Sequence, residues 1–275
     1  MKFIDAPSLR RNAVKETERL LEVQQRFKFR ERLSTSLQCN ASPIIYHTIR
    51  HQHHQLLQTV DAGLLTFLLH CEARTASALG YGFYTIGPCG EELLGSIAHH
   101  LRPTDSVALH YRHLATSITR QLIAGRTVPE IALARARGFT CSSLDPVTGG
   151  KHCALGGHKD YDFIVTSTLA SQAPPAVGRA LAIPLSNILL SGSSSHEEMK
   201  SYLKFPADAV SYVSVGDGSV NNAHFLSSIN LAKYAQHRSI KCPIVFAISD
   251  NNKCISLQVR MGEDDRIHSI NITLT

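Results

Sequence analysis

No stretch of this chain is apolar for long enough to cross a membrane. The longest apolar run, Gly63 to Leu69, falls far short of the ~20 residues that a spanning helix needs. The N-terminus also lacks the apolar core of a secretory signal, and Asp5, Glu16 and Glu18 are out of place in an acid-poor transit peptide. A cytoplasmic location is therefore expected, with the mitochondrial matrix as the alternative. Seven cysteines, an odd number without framework spacing, predict reduced thiols rather than a disulfide scaffold. The formal charge is +6, but the excess sits largely in the first fifty residues, without a basic stripe interleaved with aromatics. That pattern predicts a solvated basic arm and no nucleic-acid site. The densest histidine group, His51 to Gln55, has no cysteine or carboxylate at ligand spacing, so it reads as a wet surface cluster.

What the chain does have is enough material for one large α/β domain or two small ones, with 275 residues of which 43% are hydrophobic. No internal repeat is visible. Ser8 to Leu33 reads as a charged surface helix or arm, and Gln55 to Ala78 as a more apolar helix closed by Gly80 and Gly82. A glycine and proline turn then launches a helix with Glu91 and Glu92 in its first turn, where acid suits the helix dipole. The run SVALHY leads as a strand into Arg112, and the next helix is stopped by Gly125. Thr127 and Glu130 form a capping-box pattern for a helix over Val128 to Arg137, ended by Gly138. Residues 139–162 carry little periodicity and read as a long loop, which in a compact domain tends to be functional. Ala173 to Leu190 reads as a helix, and Ser191 to Glu198 as a surface loop.

The last third reads as strand (Ala209 to Val215), turn, helix (about Val220 to Gln236, with Phe225, Ile229 and Ala232 facing inward) and strand (Pro243 to Ser249). This is a βαβ unit, so its strands should be parallel and near neighbours, and ligands in such sheets bind at the carboxyl ends of strands. Asp217 leaves the first strand at that end and Asn251 leaves the second. Mg²⁺ takes one or two protein oxygens plus substrate phosphates, Gly218 lets the backbone come close, and a helix N-terminus offers N–H groups to a phosphate. The pair therefore predicts a magnesium diphosphate site. Taken singly, the GDG and DNN fragments are also compatible with a tight turn and a loop.

With those residues in view, GDG followed at a distance by NN resembles the thiamine diphosphate motif. The surrounding residues resemble the α subunit of the decarboxylating component of 2-oxoacid dehydrogenase complexes. STLASQAPPAVGRALA (Ser167 to Ala182), GFYTIG (Gly82 to Gly87) and HYR (His110 to Arg112) are most similar to the branched-chain branch. The resemblance runs from about Gly80 to Leu257. It implies the thiamine diphosphate-binding α/β fold, a parallel sheet flanked by helices. The domain layout it suggests is a basic helical arm over 1–54, the cofactor domain over 55–257 and a non-matching tail over 258–275. It further implies Asp217 and Asn251 as side-chain magnesium ligands and Lys253 as a ligand through its carbonyl. Tyr111, Arg112, Gly216, Asp217, Gly218, Ser219 and Asn251 would lie around the diphosphate, with Ser167 and Leu169 in the loop that holds the aminopyrimidine. Without the resemblance, Arg112 would pass for a surface salt-bridge residue and Leu169 for core. Thr166, Ser171 and Gln172 match positions that bind potassium in some relatives, and a helix cap explains them as well. His158 is the implied active-site imidazole, with His152 and His113 as rivals.

The implied activity is oxidative decarboxylation of a branched-chain 2-oxoacid, as in 3-methyl-2-oxobutanoate dehydrogenase, with acyl transfer to lipoamide. The implied assembly is a heterotetramer with a β-type subunit that supplies the cofactor-activating glutamate, serving a lipoyl-bearing acyltransferase. The chain departs from the family pattern in three places. The connection from Ala235 to Cys242 is longer, Lys253 stands where an aromatic or aliphatic residue is common, and Ser249 replaces an Arg or Glu. After Leu257 the tail resembles nothing in the family, so an alternative expectation is a truncated, catalytically silent relative that acts only as a subunit partner.

Overall fold

The structure is a computed structural model, and it describes residue 21 and residues 24–32, 43–83, 86–146, 148–150, 168–191 and 205–250. A short helix α1 (24–32) precedes the long helix α2 (Pro43–Ala78), which runs unbroken through residues 54 and 55. Then come a 3₁₀ helix (Glu91–His100), strand β1 (Ser106–Ala108), helices α3 (Leu114–Ile123), α4 (Val128–Phe139) and α5 (Ala173–Ser191), and strand β2 (Ser211–Gly216). A 3₁₀ turn (Asp217–Ser219), helix α6 (Ala223–His237) and strand β3 (Ile244–Ser249) complete the series. Among the described residues no helix is long and apolar enough to cross a membrane.

The three strands form one parallel sheet in the order β1-β2-β3. Ser106 pairs with Ser211 at one end, and Gly216 pairs with Ser249 at the other. β2 and β3 are thus joined by α6 as adjacent parallel neighbours, as the alternation of apolar runs and turn residues predicts. β2 is buried along Ser211 to Val215, which is what a central strand covered on both faces requires. On one face Val213, Val215, Ile244 and Phe246 meet Ala173, Ala176, Val177 and Ala180 of α5 and Phe225, Ala232 and Ala235 of α6. The i, i+3, i+4, i+7 spacing of those small α5 residues lets the helix lie close to the strands. The Ser211 hydroxyl even reaches the Ala176 carbonyl at 3.0 Å. Phe225 and Ala232 are buried and Ile229 packs at their edge, so the expected inward face of α6 holds. On the other face Val107, Leu109 and Tyr212 pack against Ile97 of the 3₁₀ helix, Leu101 just after it and Leu114 of α3. A satellite core of Ala62, Leu69, Ile118 and Ile131 binds α2, α3 and α4 together.

Several expectations are corrected. The segment after Gly90 is a 3₁₀ helix rather than an α-helix, although such runs are usually three or four residues long. α3 presses closely on it: Thr116 Oγ1 donates to the Leu94 carbonyl at 2.9 Å, and a Cβ on Gly95 would meet Thr119 Oγ1 at 3.0 Å. β1 is also shorter than the run SVALHY, because the chain turns at His110, where its carbonyl accepts the His113 amide. The basic N-terminal segment is not wholly solvated: Arg26 pairs with Glu92 at 3.0 Å and lies over the Phe67 ring, and Arg30 pairs with Asp61 at 2.6 Å. α6 begins at Ala223, later than expected, after the 3₁₀ turn and an N-cap at Asn222. The capping box at α4 does form, with the Glu130 carboxylate accepting both the N–H and the hydroxyl of Thr127 at 2.8 Å.

Candidate functional site

The carboxyl ends of all three strands lie along one edge of the sheet, and most of the described candidate residues stand there. β1 delivers His110, Tyr111, Arg112 and His113; β2 delivers Ser214, Gly216 and Asp217; β3 delivers Ser249, in register with Gly216. Parallel pairing produces this convergence, since every strand must present the same end to the same edge.

Asp217 is the first residue of the 3₁₀ turn and only 5% exposed. Its carbonyl accepts the Val220 amide at 3.2 Å, which fixes the turn. Gly218 is exposed and Ser219 is buried. The α6 N-terminus follows directly, but its His224 amide is already taken by Asn222 Oδ1 at 2.9 Å. The free amides expected of the helix start are therefore fewer than the sequence suggests. Gly216 is constrained by a neighbour: a Cβ there would come within 3.4 Å of His110 Nε2.

Arg112 is half-buried. Its Nη1 donates to the Gly87 carbonyl at 2.8 Å and contacts Cys89 Sγ at 3.2 Å, and its guanidinium lies 5.1 Å from the centre of the Tyr111 ring. Among the described residues no carboxylate pairs with it. Leu169 is 36% exposed in the turn before α5, so it is not core. In the same turn Gln172 is buried and donates to the Ser214 carbonyl at 2.9 Å, an anchor onto β2. Ser171 donates its amide to the Thr168 carbonyl at 3.3 Å. His158, His152, Ser167, Thr166, Asn251 and Lys253 lie outside the described residues.

One feature of this edge is not readable from the sequence. His113, only 2% exposed, sits between Glu91 and Ser214, with Nε2 2.7 Å from the Glu91 carboxylate and Nδ1 2.8 Å from Ser214 Oγ. The His110 backbone amide donates to the same Ser214 oxygen at 2.9 Å. A carboxylate only accepts, so a neutral His113 carries its proton on Nε2. Ser214 then donates to Nδ1 while accepting from His110. Burial opposes the Glu91 charge, but hydrogen bonds from His113 and Ser249 and the adjacent imidazoles outweigh it, and its carboxyl titrates below the usual range. His110 is pushed down to about 3, first by burial and then by the neighbouring His113 and Arg112. It is therefore neutral at physiological pH. The sequence shows only the histidine pair of HYRH, three residues apart; the partners Glu91 and Ser214 are brought to it by the fold.

Against this geometry, the chain matches the family described as dehydrogenase E1 component over residues 63–266. The chain belongs to this family, the thiamine-diphosphate-dependent decarboxylating components of 2-oxoacid dehydrogenases. Alpha-type members normally pair with a β subunit and serve an acyltransferase. No curated protein matches the chain significantly.

Proposed function

We propose that this chain is the α-type subunit of a branched-chain 2-oxoacid dehydrogenase. It binds thiamine diphosphate with Mg²⁺, and with a β-type subunit it decarboxylates the substrate and passes the acyl group to lipoamide on an acyltransferase. The observation that carries the reading is the buried carboxylate of Asp217 at the end of β2, on the same sheet edge as Arg112 at the end of β1. A buried carboxylate and a guanidinium carried on the same sheet edge suit a divalent ion and a diphosphate. Asp217, Asn251 and the Lys253 carbonyl would hold the metal, and Tyr111, Arg112, Gly216, Gly218 and Ser219 would surround the diphosphate. Ser167 and Leu169 would hold the aminopyrimidine, and His158 would place an imidazole toward the substrate. Potassium would stabilise the turn at Thr166, Ser171 and Gln172. The bound cofactor supplies an electron sink for loss of CO₂; this chain's residues bind and orient it.

The test is thermal unfolding with thiamine diphosphate and Mg²⁺. Ligand at ~100 times its dissociation constant adds about 2.7 kcal/mol of stability, and Asp217→Ala removes the gain. No shift in a folded sample, or an equal shift in the variant, overturns the reading. The branched-chain assignment rests on the resemblance of Ser167 to Ala182, Gly82 to Gly87 and His110 to Arg112, and it is tested by co-expression with a β-type subunit. Turnover of 3-methyl-2-oxobutanoate should exceed that of pyruvate.

A further inference from the structure

Glu91, His110 and His113 each offer one ligand atom within 4.8 Å of the others. All three are well shielded, with side-chain exposures of 12%, 7% and 2%. They come from two elements 19 or more residues apart, the start of the 3₁₀ helix and the turn after β1. We propose that these three side chains form a second cation site, selective for a borderline first-row ion of the zinc class and separate from the oxygen site around Asp217. The inference needs no part of the cofactor reading.

The argument rests on donor type, charge and support. Two imidazoles and one carboxylate form a donor set that suits zinc, with a further position open to water. Magnesium instead prefers carboxylate and water oxygens, so the two kinds of ion sort between the two places by ligand chemistry. Metal ligation needs deprotonated donors, and the Glu91 carboxylate already faces a ring nitrogen of each histidine, His113 Nε2 at 2.7 Å and His110 Nδ1 at 4.0 Å. The cluster carries a buried negative charge, now met by the proton that His113 shares with Glu91 at 2.7 Å. A divalent ion would take that proton's place, bonding His113 Nε2 and releasing one H⁺ to solvent. Support comes from Ser214, which holds the far nitrogen of His113 at 2.8 Å. Such an outer partner of a ligating histidine fixes its tautomer and ring orientation. For all three donors to share one ion, the 4.0 Å Glu91–His110 pair must close by a fraction of an ångström, the 2.7 Å Glu91–His113 pair must open by a similar amount, and His110 Nδ1 must give up its 3.5 Å contact with the Arg112 amide.

Co²⁺ is the probe, added to the full chain with Mg²⁺ in excess. The expected result is a visible d–d band of a four- or five-coordinate site at one equivalent, displaced by Zn²⁺. His113→Gln and His110→Asn should each weaken Co²⁺ binding at least ~10-fold, and Ser214→Ala by ~10- to 100-fold. Asp217→Asn and the double change His53→Ala with His54→Ala should leave the band intact. X-ray absorption at the zinc edge of the wild-type chain should show scattering from two imidazoles, a readout that does not depend on any variant folding. Absence of a band or of imidazole scattering in folded protein overturns the proposal. So does a band that survives both histidine substitutions in folded variants, or one lost with Asp217→Asn or with the His53 and His54 pair.

Discussion

Ser214 Oγ stands 2.8 Å from His113 Nδ1, joining the middle of β2 to the turn that follows β1. The same oxygen accepts the His110 amide, so one hydroxyl sets the course of the chain just before Tyr111 and Arg112. Ser214→Ala leaves two buried groups unpaired, the His110 N–H and His113 Nδ1. Each such group costs about 1–3 kcal/mol, so the variant should lose roughly 2–6 kcal/mol, or on the order of 4–12 °C in melting temperature. Denaturant and thermal unfolding check this. A change within error of zero would show that water replaces the hydroxyl and that the turn is held by other means.

Two groups at this edge make stability depend on pH in adjacent windows. His110 titrates at about 3 in the fold against ~6.5 when unfolded. Below ~6.5 the unfolded chain therefore binds a proton that the folded chain refuses, and stability falls as pH drops from there toward the folded value. Glu91 is lowered in the fold, so its contribution is present above the ordinary glutamate pKa of ~4.3 and disappears as pH falls below it. In chelator-treated protein, unfolding near pH 5 should take up close to one extra proton from His110, and His110→Asn should flatten that slope. Urea midpoints at half-unit pH steps measure both. An equal slope in the variant would assign the dependence to other groups.

How much of this arrangement the sequence carries depends on how local each part is. The β2-α6-β3 unit is legible because its signals lie side by side: β-branched alternation, the GDG turn, a helical period with Phe225 and Ala232 inward, then a second apolar run. The Thr127–Glu130 cap is legible for the same reason, both partners lying within one turn. The Glu91–His113–Ser214 chain is not, because it spans 22 and then 101 positions, and only the placement of β1 beside β2 brings the three together. Glu91 read by itself suits a helix start; its use is set by α3 and β1 pressing against the 3₁₀ helix. Arg26 and Arg30 likewise look solvated along the sequence, because their partners Glu92 and Asp61 belong to distant turns.

Arg112 separates anchoring from stability. Its guanidinium is half-exposed, donates to the Gly87 carbonyl at 2.8 Å and to Cys89 Sγ at 3.2 Å, and rests near the Tyr111 ring. Lysine would keep the charge and lose the planar fork that binds phosphate oxygens in pairs. Arg112→Lys should therefore weaken thiamine diphosphate binding about tenfold, the equivalent of ~1.4 kcal/mol. Without cofactor, its melting temperature should fall less than that of Ser214→Ala, since no buried partner is stranded. Isothermal titration with thiamine diphosphate and Mg²⁺, paired with melts of the cofactor-free protein, makes the comparison. Unchanged affinity would remove Arg112 from the diphosphate site. A loss of stability as large as that of Ser214→Ala would make it a structural residue instead.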